Sequence, residues 1–340
     1  MASKRSRPRI LILSTGGTIA GAAAEARPGG YTAGTLSMDA MLDAIPGIRE
    51  IADLEWVQVA GGGSQDMTFS RMQDLADRIN TVLDAGDTIA GVDGVVVTHG
   101  TDTLEETAYF LNLRVRSPKP VVLTGAMRPF FATSADGPQN LFGAVAVAAD
   151  PRAADRGVLV VMNNQIHGAR SLQKNHTLDV AAFTSGTHGL IGEIQGHDIR
   201  YFRRPFRTHT HQSEFSTPGA LTLPFPRVDI VYACADMPAD LIDGAVARGA
   251  KGIVIAGVGN GNMNKAARDR AAWAVKQGVR VVRSSRVPAG RVIRNVEIDD
   301  DRLGFVVADD LSPAKARILL MLALMEKRGC DDIQRLFDTC

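Results

Sequence analysis

Cysteine is scarce in this chain of 340 residues: Cys234, Cys330 and Cys340 are the whole complement. The number is odd, all three lie in the last third, and their spacing matches no metal-ligand pattern. Neither a disulfide framework nor a thiolate metal site is expected. Few thiols suit a reducing compartment, although a long exported enzyme also needs no disulfide. An excess of one charge is missing too. Lys and Arg number 38 against 37 Asp and Glu, a net charge of +1, which removes the electrostatic case for nucleic acid or an anionic membrane as partner. No window approaches the roughly 20 apolar residues of a membrane span. The stretch from Met1 to Arg9 is basic, but the apolar run behind it is too short for a signal core and passes straight into glycines. A cytoplasmic protein acting on a small molecule is expected, or a periplasmic one if a leader has been trimmed.

The familiar hydrolase signatures are also lacking. There is no Gly-x-Ser-x-Gly elbow, no catalytic cysteine context and no His-Glu-x-x-His. The glycines of Ser14-Thr-Gly-Gly-Thr-Ile-Ala-Gly21 are spaced Gly-Gly-x-x-x-Gly, which fails the dinucleotide fingerprint. His209 and His211 have no third ligand nearby, so the pair reads as solvated loop histidines and no metal site is expected.

What is present is a repeated unit of buried strand, glycine turn and helix. Ile10–Leu13 is apolar without alternation, as in a parallel sheet covered on both faces, and it ends in Gly16-Gly17-Thr18. Glu55–Val59 ends in Gly61-Gly-Gly-Ser64-Gln65-Asp66, and the helix Ser70–Leu83 follows with Met72, Leu75, Ile79 and Leu83 at helical spacing. Val95–Val97 runs into His99-Gly100-Thr101-Asp102-Thr103, where Thr103-x-x-Glu106 reads as a capping box. Lys119–Ala126, the helix Gln139–Ala149 and the strand Gly157–Met162 continue the alternation. His167–Asp179 is polar and irregular and carries Lys174. The alternation resumes at Val228–Tyr232, Gly252–Ala256 and Val279–Arg283, with helices over Ala239–Ala247, Asn264–Lys276 and Ser312–Met325. The pattern predicts an α/β protein with a larger N-terminal parallel-sheet domain over residues 1–203, a linker over 204–226, and a smaller C-terminal α/β domain over 227–340.

Open α/β sheets gather ligands at the carboxyl ends of their strands. The polar groups stranded there are Thr18, Ser64, Gln65, Asp66, Thr101, Asp102, Asn260 and Asn262. Such an edge fits a small zwitterion, with Asp102 facing an ammonium group and Ser64, Gln65 and backbone N–H groups facing a carboxylate. Thr18 is a candidate nucleophile, and a threonine hydroxyl needs a nearby proton acceptor. A Thr101–Lys174–Asp102 relay would supply nucleophile, base and orienting carboxylate. Each member has an ordinary alternative: Thr101 and Asp102 as helix-start residues, and Lys174 as a solvated surface charge. Tyr31, in a Gly- and Pro-rich loop, is either an anchor for that loop or a phenol on a flap over Thr18.

Thr15-Gly-Gly-Thr-Ile-Ala-Gly21 and Thr98-His-Gly-Thr-Asp-Thr-Leu-Glu-Glu-Thr-Ala-Tyr-Phe110 together resemble the bacterial L-asparaginases, including the glutaminase-asparaginases. Tyr31-Thr-Ala-Gly34, Ser64-Gln-Asp-Met67, Gly125-Ala-Met-Arg-Pro129, Ser134-Ala-Asp-Gly-Pro138, Gly257-Val-Gly-Asn-Gly-Asn262 and Arg283-Ser-Ser-Arg-Val-Pro288 extend the resemblance over nearly the whole chain. The resemblance implies hydrolysis of L-asparagine to L-aspartate and ammonia, with L-glutamine as a second substrate to be tested. It implies Thr18 as primary nucleophile assisted by Tyr31, and Thr101, Asp102 and Lys174 as the second catalytic group. Gly17, Ser64, Gln65, Gly100, Asp102 and the Ala126 carbonyl would bind substrate, with Asn262 and Glu297 arriving from a neighbouring subunit. A homotetramer built as a dimer of dimers, with sites shared between subunits and no metal or organic cofactor, is the implied assembly. The Ser64-Gln65 loop resembles the high-affinity, usually exported type. The competing expectation is a non-catalytic asparagine or aspartate sensor, which would not need Thr18, Tyr31, Thr101 and Lys174 together.

Overall fold

The computed structural model describes residues 7–23, 31–32, 37–84, 91–217 and 224–340; for residues 20, 22, 23, 31 and 32 it describes the backbone alone. The chain divides into two units, Met1–Thr217 and Pro218–Cys340, and both are α/β.

The first unit is built on an eight-stranded sheet. Its strands are β1 (Arg9–Ser14), β2 (Asp53–Gln58), β3 (Gly94–Thr98), β4 (Val121–Thr124), β5 (Val158–Met162), β6 (Gln165–Gly168), β7 (Gly192–Gln195) and β8 (Asp198–Tyr201), in the order β8-β7-β6-β5-β4-β3-β1-β2. From β2 to β5 every pairing is parallel. β3, β4 and β5 are buried along their whole length, which explains their unbroken Val and Leu runs. The chain leaves β1 for the edge strand β2 and returns to β3 on the other side of β1, so the connection reverses between β1 and β3. That is a topological switch point, the place where such sheets hold ligands. The register sharpens this: Ser14 stands beside both Gln58 and Thr98, and Thr98 beside Thr124. Four successive strand-end turns therefore begin at one level.

Helices α1 (Met38–Asp43), α2 (Phe69–Asp84), α3 (Leu104–Arg114) and α4 (Gly137–Ala149) follow the strands. α1 is capped by Ser37, whose Oγ accepts from Ala40 N. Leu141, Ala144 and Val145 of α4 join Ile10, Ile12, Val96, Val122 and Leu159 in one apolar cluster. α3 is buried on all sides from Thr107 to Arg114. One reason is the segment expected as the start of a linker. Residues 210–212 and 214–216 form short 3₁₀ turns, Phe215 is buried, and Arg114 Nη1 donates to the Phe215 carbonyl. His209 is buried as well, its imidazole against Thr210 Oγ1, rather than solvated. Burial lowers its pKa from the usual histidine value.

The strands β6, β7 and β8 are antiparallel additions that the strand–turn–helix pattern of the sequence does not predict. Each is only four residues long and lacks a helical partner. A local signal existed: Asn163-Asn164, with φ 50° and 61°, forms the two-residue turn between β5 and β6. Gln173–Lys174, inside the stretch expected to be irregular, pairs antiparallel with Phe183–Thr184.

The second unit holds β9 (Val228–Tyr232), β10 (Gly252–Gly257), β11 (Arg280–Ser285) and β12 (Phe305–Val307) in a parallel sheet of that order. α5 (Asp240–Ala247) and α6 (Lys265–Lys276) pack Ile242, Ala245, Ala267, Ala271 and Ala274 against Ile253, Ile255 and Val281. α7 (Pro313–Met325) approaches β10 so closely that a Cβ on Gly252 would fall 2.7 Å from Leu320 Cδ2. Asn264 caps α6 by accepting from Ala267 N, whereas Ser312 makes no such bond at the start of α7. α8 (Cys330–Thr339), missed from sequence, closes the chain. No helix among the described residues is long and apolar enough to cross a membrane.

Candidate active site

The turns after β1, β2 and β3 interlock through their glycines. Gly16 and Gly17 have φ 94° and 89°, which favours glycine at both positions. Gly17 N donates to Gly62 O at 2.9 Å. A Cβ on Gly16 would lie 2.6 Å from Gly62 O, and one on Gly17 would lie 2.5 Å from the Gly100 backbone. A Cβ on Gly100 would in turn strike Ser64 Oγ at 2.7 Å, and one on Gly125 would strike His99 O at 2.6 Å. Backbone therefore touches backbone across four strand ends.

Gly17, Thr18, Ser64, Gln65, Gly100, Thr101, Asp102 and Lys174 line one cavity of about 490 Å³. Gly63, Met127, Thr177 and Leu178 complete its wall, and the last three were not expected from sequence. Thr18 opens a one-turn 3₁₀ helix directly after Gly17. Lys174 reaches the cavity from its two-residue strand. Its Nζ donates to Thr101 Oγ1 at 2.9 Å and pairs with Asp102 Oδ1 at 2.7 Å. Thr101 is buried, Lys174 is mostly covered and the Asp102 carboxylate faces solvent. The lysine is therefore not the solvated charge of the ordinary reading. Glu105 fixes it from behind, accepting from Lys174 N at 2.6 Å.

The expected capping box does not form. α3 has no side-chain cap; Thr103 Oγ1 instead donates to Ser64 O at 2.7 Å. Ser64 Oγ accepts from Asp102 N at 3.2 Å and Thr103 N at 3.4 Å. The backbone N–H groups expected to face a ligand at this helix start are thus turned onto Ser64, which retains its own O–H to donate. His99 holds the same turn from beneath, with Nδ1 2.7 Å from Gly100 O and Nε2 2.9 Å from Thr107 Oγ1. Complete burial pushes its pKa down to about 4, so the imidazole is neutral, with Nδ1–H donating and Nε2 accepting.

Ala126 is buried in the turn after β4, and its neighbour Met127 lines the cavity. Asp136 shapes that turn by accepting from Met127 N and Arg128 N, while Asn140 Nδ2 donates to Gly125 O. Tyr31 pairs its backbone with Ala23, and its phenol lies outside the described residues. In the second unit Asn262 and Glu297 meet each other: Asn262 Nδ2 donates to Glu297 Oε2. Asn262 Oδ1 is buried without a hydrogen-bond partner among the described residues. Among the described residues no group of three or more His, Cys, Asp or Glu could hold a metal ion.

Fold and site together define a two-unit α/β protein with a hydroxyl-, amine- and carboxylate-bearing cleft at the carboxyl edge of its larger sheet. Residues 9–207 match the family description "Asparaginase, N-terminal" and residues 227–337 match "Glutaminase/Asparaginase C-terminal domain". The chain belongs to the asparaginase family. It is 46% identical to L-asparaginase 2 of Escherichia coli over 97% of this chain and 93% of that one. It is 45% identical to a probable periplasmic L-asparaginase of Haemophilus influenzae, covering 99% and 95%, and 40% identical to a glutaminase-asparaginase of Acinetobacter glutaminasificans, covering 96% and 98%. The crystal structure of a probable cytoplasmic L-asparaginase from Campylobacter jejuni superposes with a TM-score of 0.90 at 41% identity, covering 98% of this chain and all of that one.

Gly17→Ala must push the first and third turns apart, because its Cβ has no room against Gly100. The expected result is a loss in kcat/KM of about 100-fold or more with an unchanged circular dichroism spectrum. Activity within threefold of wild type would show that the contact is dispensable.

Proposed function

We propose that the protein is an L-asparaginase, hydrolysing the side-chain amide of L-asparagine to L-aspartate and ammonia through Thr18. The observation that carries this is the Thr101–Lys174–Asp102 contact set in the same cavity as Thr18. A binding protein needs a clamp but has no use for an amine held against a buried threonine hydroxyl. Family membership and the names of the relatives support the same reading.

In this reading Thr18 Oγ adds to the amide carbon, the C–N bond breaks and ammonia leaves, so that an ester to Thr18 remains. Water then cleaves the ester, restoring the threonine and releasing the new carboxyl group. The Lys174 ammonium gives a proton through Thr101 to the departing nitrogen and is restored by the proton that Thr18 Oγ loses, and the attacking water later returns a proton to Thr18 Oγ. Asp102 keeps that ammonium in place and meets the substrate's own ammonium, while Ser64 and Gln65 hold its carboxylate. Gly17 and Gly100 bring their backbones against the substrate, the Ala126 carbonyl meets its amide, and Tyr31 assists Thr18. Asn262 and Glu297 serve the site of a neighbouring subunit in a homotetramer. The unpartnered Asn262 Oδ1 beside a carboxylate suits an ammonium ligand. L-Glutamine is the second substrate to measure, since relatives include a glutaminase-asparaginase. The cytoplasm is the proposed compartment, on the three free thiols.

Ammonia release should be seen with asparagine, and no turnover of either amide would remove the enzyme reading. Thr18→Val is expected to cut kcat by about 1,000-fold or more, and Lys174→Met by about 100- to 10,000-fold, with folding intact. Near-normal kcat in either variant reassigns that residue. Refolding a mixture of Thr18→Val and Glu297→Ala chains should give partly active hybrids. Failure to recover activity would count against shared sites. On fractionation of the native host, activity released by osmotic shock would place the protein outside the cytoplasm.

A further inference from the structure

Among the described residues the largest completely buried side chain is that of Arg283, on β11, and no step of the proposed reaction uses it. It pairs with Asp300, which is also fully buried: Nε to Oδ1 at 2.6 Å and Nη2 to Oδ2 at 2.8 Å. The remaining donors of the fork reach carbonyls. Nη1 donates to Asn260 O at 2.9 Å and Gly261 O at 3.3 Å, and Nη2 to Ile293 O at 3.4 Å. All five N–H groups of the guanidinium are thereby used, on two separate loops.

Those loops are the ones that carry Asn262 and Glu297. Asn260 and Gly261 immediately precede Asn262, whose backbone pairs with Val258 in both directions to pinch its loop. On the other loop, Asp300 Oδ2 accepts from Asn295 N at 2.9 Å, and Asn295 Oδ1 accepts from Asp300 N at 2.8 Å. Glu297 sits inside that small ring. A cross-bond joins the loops directly, Ile293 N to Asn260 Oδ1 at 2.7 Å.

A buried ion pair is weak evidence for stability, since removing two charges from water costs about as much as their attraction returns. What the planar fork supplies is direction: one rigid group sets both loops in a single geometry. We infer that Arg283 and Asp300 are positioning residues, which hold the Asn262 amide and the Glu297 carboxylate at the spacing that receives the substrate's ammonium group. This rests on reading Asn262 and Glu297 as substrate contacts.

The test separates KM from kcat in ammonia release from asparagine. Arg283→Lys keeps the charge but loses the fork. Asn295→Gly keeps the left-handed backbone at φ 57° and deletes the side chain, whose Oδ1 accepts from Asp300 N and whose Nδ2 donates to Asp301 Oδ2. We expect KM to rise about tenfold in the first variant and about threefold in the second, with kcat changed less than about threefold in both. In a Glu297→Ala background, Arg283→Lys should raise KM by less than the roughly tenfold of the single substitution, because one of the two groups it positions is gone. Unchanged KM in folded Arg283→Lys, or a fully additive effect in the double variant, would overturn the inference. If Arg283→Lys does not fold, Asn295→Gly decides alone: unchanged KM overturns it. Glu297→Ala with wild-type KM would instead remove the underlying reading of Glu297 as a contact.

Discussion

Everything in the cleft depends on backbone contact between turns. Parallel strands stand roughly 4.8 Å apart, and turns carrying side chains would splay as they leave the sheet. Here Gly16, Gly17, Gly100 and Gly125 remove the Cβ atoms that would separate them. Thr15 reinforces the contact, with both its N–H and its hydroxyl donating to Thr98 O. The polar residues that follow each glycine are then delivered to one small volume from places far apart in the chain. Thr18, Ser64 and Thr101 become neighbours because the residues before them are small.

A further set of residues holds the polar groups without touching the cavity. Glu105 fixes the Lys174 backbone, His99 ties Gly100 to α3, and Asp136 with Asn140 shapes the turn at Ala126. All are bonded to backbone, so each sets a turn conformation rather than a single contact. Burial keeps His99 uncharged, and its two ring nitrogens can therefore play opposite roles as donor and acceptor.

The parallel strands, the glycine turns and most helices could be read from the chain because their signals are local: unbroken Val and Leu runs, Gly pairs, Ser37 and Asn264 at helix starts. The antiparallel strands were not read, since four-residue strands carry little periodicity and Asn163-Asn164 was their single turn signal. Thr103 misled for a physical reason. A Thr-x-x-Glu spacing reports that a cap can form, whereas Ser64, nearly 40 residues away, competes for the same hydroxyl. Glu105 and the Arg283–Asp300 pair lie beyond local pattern, because their partners are distant in sequence and their charges resemble surface residues until burial is known.

The bonding of Ser64 has a consequence for how the cleft reads a ligand. Its oxygen lone pairs are engaged by the N–H groups of Asp102 and Thr103, so the hydroxyl presents hydrogen and little else. Asp102, on the neighbouring turn, presents only oxygen when ionised. The hydroxyl and the carboxylate thus offer a ligand opposite polarity, linked through the Asp102 N–H. A zwitterion entering end-for-end would set ammonium against a donor and carboxylate against a carboxylate. In the proposed function, that pair tells head from tail before any chemistry begins.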